Sequence, residues 1–107
     1  MYLATGDGGA PLFTSFAISS SDNGATWAKQ GSPIDPSFIL ETIEVAKSDP
    51  HRIYLSGVSG SGATSIAALF VSEDSGGTWT PRNVPIDPTN ERAPFISAVD
   101  PQNADVV

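Results

Sequence analysis

The chain has 107 residues, 39% of them hydrophobic, and carries 12 acidic against 5 basic residues for a net charge of −7. A pI near 4.2 and the lack of any Lys/Arg patch argue against a nucleic-acid backbone or an anionic membrane as partner. There is no cysteine, which excludes disulfides and thiolate metal sites, and the longest apolar run, Ile66 to Val71, is too short to cross a bilayer.

Taken in order, Met1 to Thr5 predicts a strand, followed by a Gly-rich turn, Gly6-Asp7-Gly8-Gly9-Ala10-Pro11. This start has neither a basic n-region nor a long apolar core, so it does not read as a signal peptide. Leu12 to Ser19 is apolar enough to predict a strand buried on both faces. Ser20 to Trp27 reads as a turn, and a strand follows near Thr26 to Gln30. Pro33-Ile34-Asp35-Pro36 is expected to break pairing, and Phe38 to Ala46 to form the next strand.

Ser48-Asp49-Pro50-His51 then turns into a strand over Arg52 to Val58, and Ser59-Gly60-Ser61-Gly62 loops to another over Ser65 to Val71. A second turn, Ser72 to Trp79, precedes a strand near Thr78 to Asn83 and the connection Pro85-Ile86-Asp87-Pro88. Ala93 to Val99 predicts a further strand, and Asp105-Val106-Val107 the start of one more. Between them Asp100-Pro101-Gln102-Asn103 corresponds to Ser48-Asp49-Pro50-His51, with one residue inserted after it. No helix-period pattern of useful length occurs.

The chain repeats itself. Ser20-Ser21-Asp22-Asn23-Gly24-Ala25-Thr26-Trp27 and Ser72-Glu73-Asp74-Ser75-Gly76-Gly77-Thr78-Trp79 share the pattern S-x-D-x-G-x-T-W, at an offset of 52 (Asp22 to Asp74). Tyr2-Leu3 matches Tyr54-Leu55, and Pro33-Ile34-Asp35-Pro36 matches Pro85-Ile86-Asp87-Pro88, in the same register. A period of this size points to solenoids, propellers or arrays. Residues 1–49 therefore read as a first repeat, and 50–107 as a second repeat with the start of a third.

The motif has its own physical logic. The Asp carboxylate accepts bonds from backbone N–H groups just ahead, Gly supplies a positive φ, and the Ser and Thr hydroxyls tie the arms of the turn. Trp is an anchor: burying roughly 200 Å² at about 25 cal/mol/Å² gives on the order of 5 kcal/mol before entropy.

On these residues the sequence resembles the Asp-box, or bacterial neuraminidase repeat, family of β-propellers, which includes sialidases, some endoglucanases and sortilin-type receptors. Ser20, Asp22, Gly24, Thr26 and Trp27, and Ser72, Asp74, Gly76, Thr78 and Trp79, occupy all five defining positions of the two boxes. The resemblance implies an all-β fold of four-stranded antiparallel blades, about two blades' worth. Two blades cannot close a ring, so the expectation is a fragment of a longer propeller, with self-closure by several copies as the alternative.

The resemblance further implies that the boxes lie at the periphery of one face and the ligand loops on the other. That singles out Asp7, Glu41, Glu44, Glu91 and Arg92 as candidate ligand-binding residues. Trp27 and Trp79 read as packing anchors in preference to sugar-stacking platforms. Asp22-Asn23-Gly24 opens like an EF-hand loop, but its later ligands are missing, so Asp22 and Asp74 read as turn carboxylates. The lone His51 has no partner for a metal site, and no cofactor is expected.

A sialidase-like site needs an arginine trio, whereas Arg52, Arg82 and Arg92 fall on non-equivalent elements. Arg92-Ala93-Pro94 is similar to that family's Arg-Ile-Pro start, but Glu91 replaces the aromatic residue before it. Glycosidase chemistry by a carboxylate pair has candidates but no local motif that selects two of them. The expected function is a non-catalytic extracellular or cell-surface module that binds a protein or glycan through loops opposite the boxes. A blade segment of a secreted glycoside hydrolase and a two-blade lectin that closes its ring by oligomerising are the alternatives.

Overall fold

The computed structural model describes residues 2–9 and 12–107, with side chains from Ser15 onward. The chain is all-β. Three strands, β1 (Tyr2–Gly9), β2 (Leu12–Ser19) and β3 (Ala28–Ile34), form one antiparallel sheet in the order β1-β2-β3. Four more, β4 (Ile39–Val45), β5 (Ile53–Ser59), β6 (Ile66–Ser72) and β7 (Thr80–Val84), form a second in the order β4-β5-β6-β7. Both sheets are up-and-down meanders of sequence neighbours, and β1 lies close to β4.

Two faces of the second sheet are covered by different parts of the chain. Leu55, Ala68 and Phe70 point to one side, where they pack with Ile34 at the end of β3 and Phe38 from the connection between the sheets. Phe38 and Phe70 meet edge-to-face with ring centroids 5.2 Å apart. Tyr54, Leu69 and Val71 alternate to the other side and pack against Ile96, Val99 and Ala104 of the C-terminal segment. The tyrosine hydroxyl donates to the Ala104 carbonyl at 2.6 Å.

Several expectations need correction. The Gly-rich run is strand: β1 continues through Gly9, and Asp7 pairs with Thr14. Glycine weakens a strand, but here the apolar β2 supplies a full ladder opposite it. Pairing also survives to Ile34, which faces Ser15. Ala17 pairs with Gln30, so the register shift between these two pairs bulges residues 31–33 out of the ladder and spares Pro33 from donating to it.

Residues 93–99 and 105–107 form no strand. Among the described residues no further strand pairs with 93–99, so its apolar side chains settle onto the face of the second sheet instead. The turn after it nevertheless copies an earlier one. The Asp100 amide donates to Val106 O at 2.8 Å as Ala46 does to Arg52 O at 2.9 Å. Asp105 N donates to Asn103 Oδ1 at 3.0 Å as His51 N does to Asp49 Oδ1 at 3.1 Å. The geometry therefore aligns Asn103 with Asp49.

The sheets dock through a glycine notch. Gly31, at φ +60, sits against the carbonyls of Gly76 and Gly77, and any Cβ there would overlap both. Gly76 in turn lies against Gln30 and Ala17. Gly31→Ala is expected to destabilise the fold by about 3 kcal/mol or more in urea unfolding, since both backbone strain and overlap oppose it. Gly62→Ala, with a similar φ of +57 but open space around it, should cost only about 1 kcal/mol. Equal losses in the two variants would contradict docking through the notch.

Candidate functional site

The two S-x-D-x-G-x-T-W turns fold alike, each joining a strand to its antiparallel neighbour. Asn23 and Gly24 have φ of 57° and 88°, and Ser75 and Gly76 of 61° and 89°, the signature of a type I′ turn. Ser20 Oγ donates to Asp22 Oδ1 at 2.7 Å and accepts from the Gly24 amide at 2.8 Å. Asp22 Oδ1 accepts from Thr26 N at 2.8 Å and Oδ2 from Thr26 Oγ1 at 2.6 Å. In the second turn Ser72, Asp74, Gly76 and Thr78 make the same four bonds at 2.7–2.8 Å.

These bonds stabilise the charged carboxylates. Asp22 is held down to about 2, first by the Thr26 hydroxyl and then by the Thr26 amide. Asp74 also lies at about 2, with the Thr78 amide as the larger cause and its hydroxyl next. Both folded values lie below the ordinary 3.8, so the stabilisation is present above that value and lost as pH falls toward 2.

The tryptophans part company. Trp79 packs against the core between the sheets, while Trp27 stays 39% exposed and donates to Gly24 O at 3.1 Å. Both were expected to pack as anchors; Trp79 is half-buried against the core, whereas Trp27 is exposed. The reason is the neighbour: the second turn rests on Ala17, Gln30 and Gly31, and among the described residues no sheet covers Trp27 in the same way. The second turn is also fastened within its own sheet. Ser75 N donates to His51 O at 2.9 Å, and His51 Nδ1 lies 2.7 Å from Ser75 Oγ. Arg52 adds ion pairs to Glu73 at 3.1 Å and Asp105 at 2.7 Å.

At the other end of the second sheet, the β5–β6 loop and the connection after β7 enclose an open cleft of about 650 Å³. Gly60, Gly62 and Ser65 form one wall, and residues 88–92 the other. A short 3₁₀ turn, Gly62–Thr64, shapes the first wall, with Thr64 Oγ1 donating to Ser61 O at 2.9 Å. The second wall is built on Asp87. Its Oδ1 accepts from Thr89 N at 3.0 Å and its Oδ2 from Asn90 Nδ2 at 2.7 Å, and these bonds hold its pKa below the ordinary carboxylate value, the Asn90 bond most. The Asp87 amide donates to Glu91 Oε2 at 2.6 Å and the Glu91 amide donates back to Asp87 O at 2.7 Å, closing the turn reciprocally.

Of the five candidate ligand residues, the structure brings only Glu91 and Arg92 into this cleft. Glu41 is the unpaired residue of a bulge between Leu40 and Thr42 on the edge strand β4, and is exposed. Glu44 is also exposed on β4, opposite Tyr54. Asp7 is a strand residue, and its side chain lies outside the described residues. The arginines stay apart: Arg52 and Arg82 line a separate hollow of about 350 Å³ with Tyr54 and Leu69. Thr89, Asn90 and the glycine wall are cleft residues that the sequence reading passed over. The matched Asp35-Pro36 and Asp87-Pro88 pairs were the available signal, since Asp35 likewise accepts from Ser37 N at 2.9 Å.

Among the described residues no group of three His, Cys, Asp or Glu side chains could hold a metal, and no helix is long and apolar enough to cross a membrane. No protein-family model, no curated protein and no solved structure matches this chain.

Two measurements check the turns. Thermal stability scanned downward from pH 5 should fall as the turn carboxylates protonate between 3.8 and about 2, and the double variant Asp22→Asn, Asp74→Asn should flatten that dependence. Trp79→Ala should cost about 3 kcal/mol, and Trp27→Ala about 1 kcal/mol, in denaturant unfolding.

Proposed function

We propose that the two sheets are adjoining blades of an Asp-box β-propeller, and that the chain is a non-catalytic extracellular or cell-surface binding module. Its ligand site is the cleft between residues 58–65 and 88–92. That cleft is the observation that carries the reading, because it lies at the end of the sheet away from the motif turns, built from two loops on rigid strands.

The chemistry of the walls supports a glycan over a protein as ligand. Thr89 and Ser65 offer hydroxyls, the Gly60 and Gly62 backbone permits close approach, and the exposed Arg92 forms no ion pair among the described residues. A binding role is favoured over glycoside hydrolysis by how Glu91 is used. It is the cleft's carboxylate, and its Oε2 is committed to the Asp87 amide, whereas a hydrolytic pair needs two carboxyl groups flanking the bond.

A glycan array probed with the chain should show selective binding with no turnover of fluorogenic glycosides. Arg92→Ala should lower affinity by about tenfold or more, the loss of one hydrogen bond to a charged group, with an unchanged unfolding midpoint. Turnover abolished by Glu91→Gln would replace this reading with the hydrolase, and binding confined to protein ligands would remove the glycan.

A further inference from the structure

The two turns match in their hydrogen bonds but differ at one chemically consequential position. Asn23-Gly24 is the sole Asn-Gly pair in the sequence, and the second turn has Ser75-Gly76 in its place. Asn23 is exposed, and Gly24 has no side chain to shield its amide nitrogen. An asparagine so placed is open to attack on its side-chain carbonyl carbon by the backbone nitrogen that follows it.

We propose that Asn23 is a site of deamidation whose rate is governed by closure of its own turn, with the Ser20 hydroxyl holding the Gly24 amide out of reach. In the reaction the Gly24 nitrogen bonds to Asn23 Cγ, the Cγ–Nδ2 bond breaks, and Nδ2 leaves as ammonia with the amide proton. Water then adds to either carbonyl of the resulting succinimide and opens it to aspartate or isoaspartate. Water is the only co-reactant.

The closed turn opposes this step in two ways. The Gly24 N–H donates to Ser20 Oγ at 2.8 Å, and the turn is shut by Ala25 N donating to Asp22 O at 3.3 Å. The nitrogen must also approach Cγ by rotation about the Asn23 Cα–C and Cα–Cβ bonds, and the hydrogen-bonded turn, with Asn23 and Gly24 both at positive φ, restrains that backbone rotation. The same atoms permit the opposite effect, a relay in which Ser20 and Asp22 draw the proton from the Gly24 nitrogen and speed the attack. A carboxyl held at about 2 is too weak a base for that.

The outcome is one-way. Isoaspartate inserts a methylene into the main chain between two residues that must both keep positive φ, so the I′ turn cannot reclose. The second turn, with serine at that position and packed against Gln30, is inert to this chemistry. One arm of the repeat is thus marked for ageing, and the other is not.

The full chain, incubated in mildly alkaline buffer folded and in urea, tests this by peptide mass mapping of the segment around Asn23. Deamidation should run at least about tenfold slower in the folded chain, equivalent to ~1.4 kcal/mol for opening the turn. Ser20→Ala should bring the folded rate close to that in urea, and Thr26→Val, which loosens the turn without touching the Gly24 amide, should move it the same way. Asn23→Ser should abolish the product. Equal rates in folded and unfolded chain, or a rate in a folded Ser20→Ala no faster than in the parent, would overturn the proposal. If Ser20→Ala does not fold, the parent comparison and Thr26→Val decide.

Discussion

A carboxylate that closes a five-residue corner is the interaction on which this structure rests. Asp22 and Asp74 each gather an amide and a hydroxyl from the threonine four residues on, and each takes a further bond from the serine two residues back. An ionised carboxylate can accept several such bonds at once, which fixes where one strand ends and the next begins. The positive-φ pair between them gives the corner the right-handed twist that antiparallel neighbours need. Once the corner is set, the register of β6 against β7 follows, and with it the assignment of Phe70 to one face and of Leu69 to the other.

The corners also decide how sheets meet. The second turn presses its glycine carbonyls into the space at Gly31, beside Ala17, and so brings Trp79 over the core shared by the two sheets. The face that would repeat this arrangement is not a copy. At the same offset Ala17 becomes Leu69 and Gly31 becomes Asn83, a larger pair without the notch. That face is occupied by Ile96, Val99 and Ala104. Sequence periodicity therefore coexists with a difference in packing between the two units, and the difference lies in the size of two side chains.

The cleft depends on the same framework at its opposite end. Its walls are loops, yet each is braced: one by a 3₁₀ turn, the other by the reciprocal Asp87–Glu91 bonds. Bracing of this kind limits the conformational entropy lost when a ligand is bound. The same bonding gives Glu91 a place in the wall, with its Oε2 held by the Asp87 amide.

By itself the sequence determined the local structure. The spacing of Ser, Asp, Gly, Thr and Trp is enough to place both turns, because every bond that closes them joins residues within four positions of each other. Leu12 to Ser19 was legible to the residue, as a run of apolar and β-forming side chains. Only the tertiary structure decided what depended on distant partners. Gly6 to Gly9 is strand because β2 lies opposite it, and 93–99 is not strand because among the described residues nothing pairs with it. Trp79 packs against the core and Trp27 is exposed, since among the described residues a neighbouring sheet meets only the second turn, and Glu91 and Arg92 line the cleft with the 60–65 loop while Glu41 and Glu44 do not. A hydrogen bond across four residues is written in the order of the side chains; burial is written in whatever folds up against them.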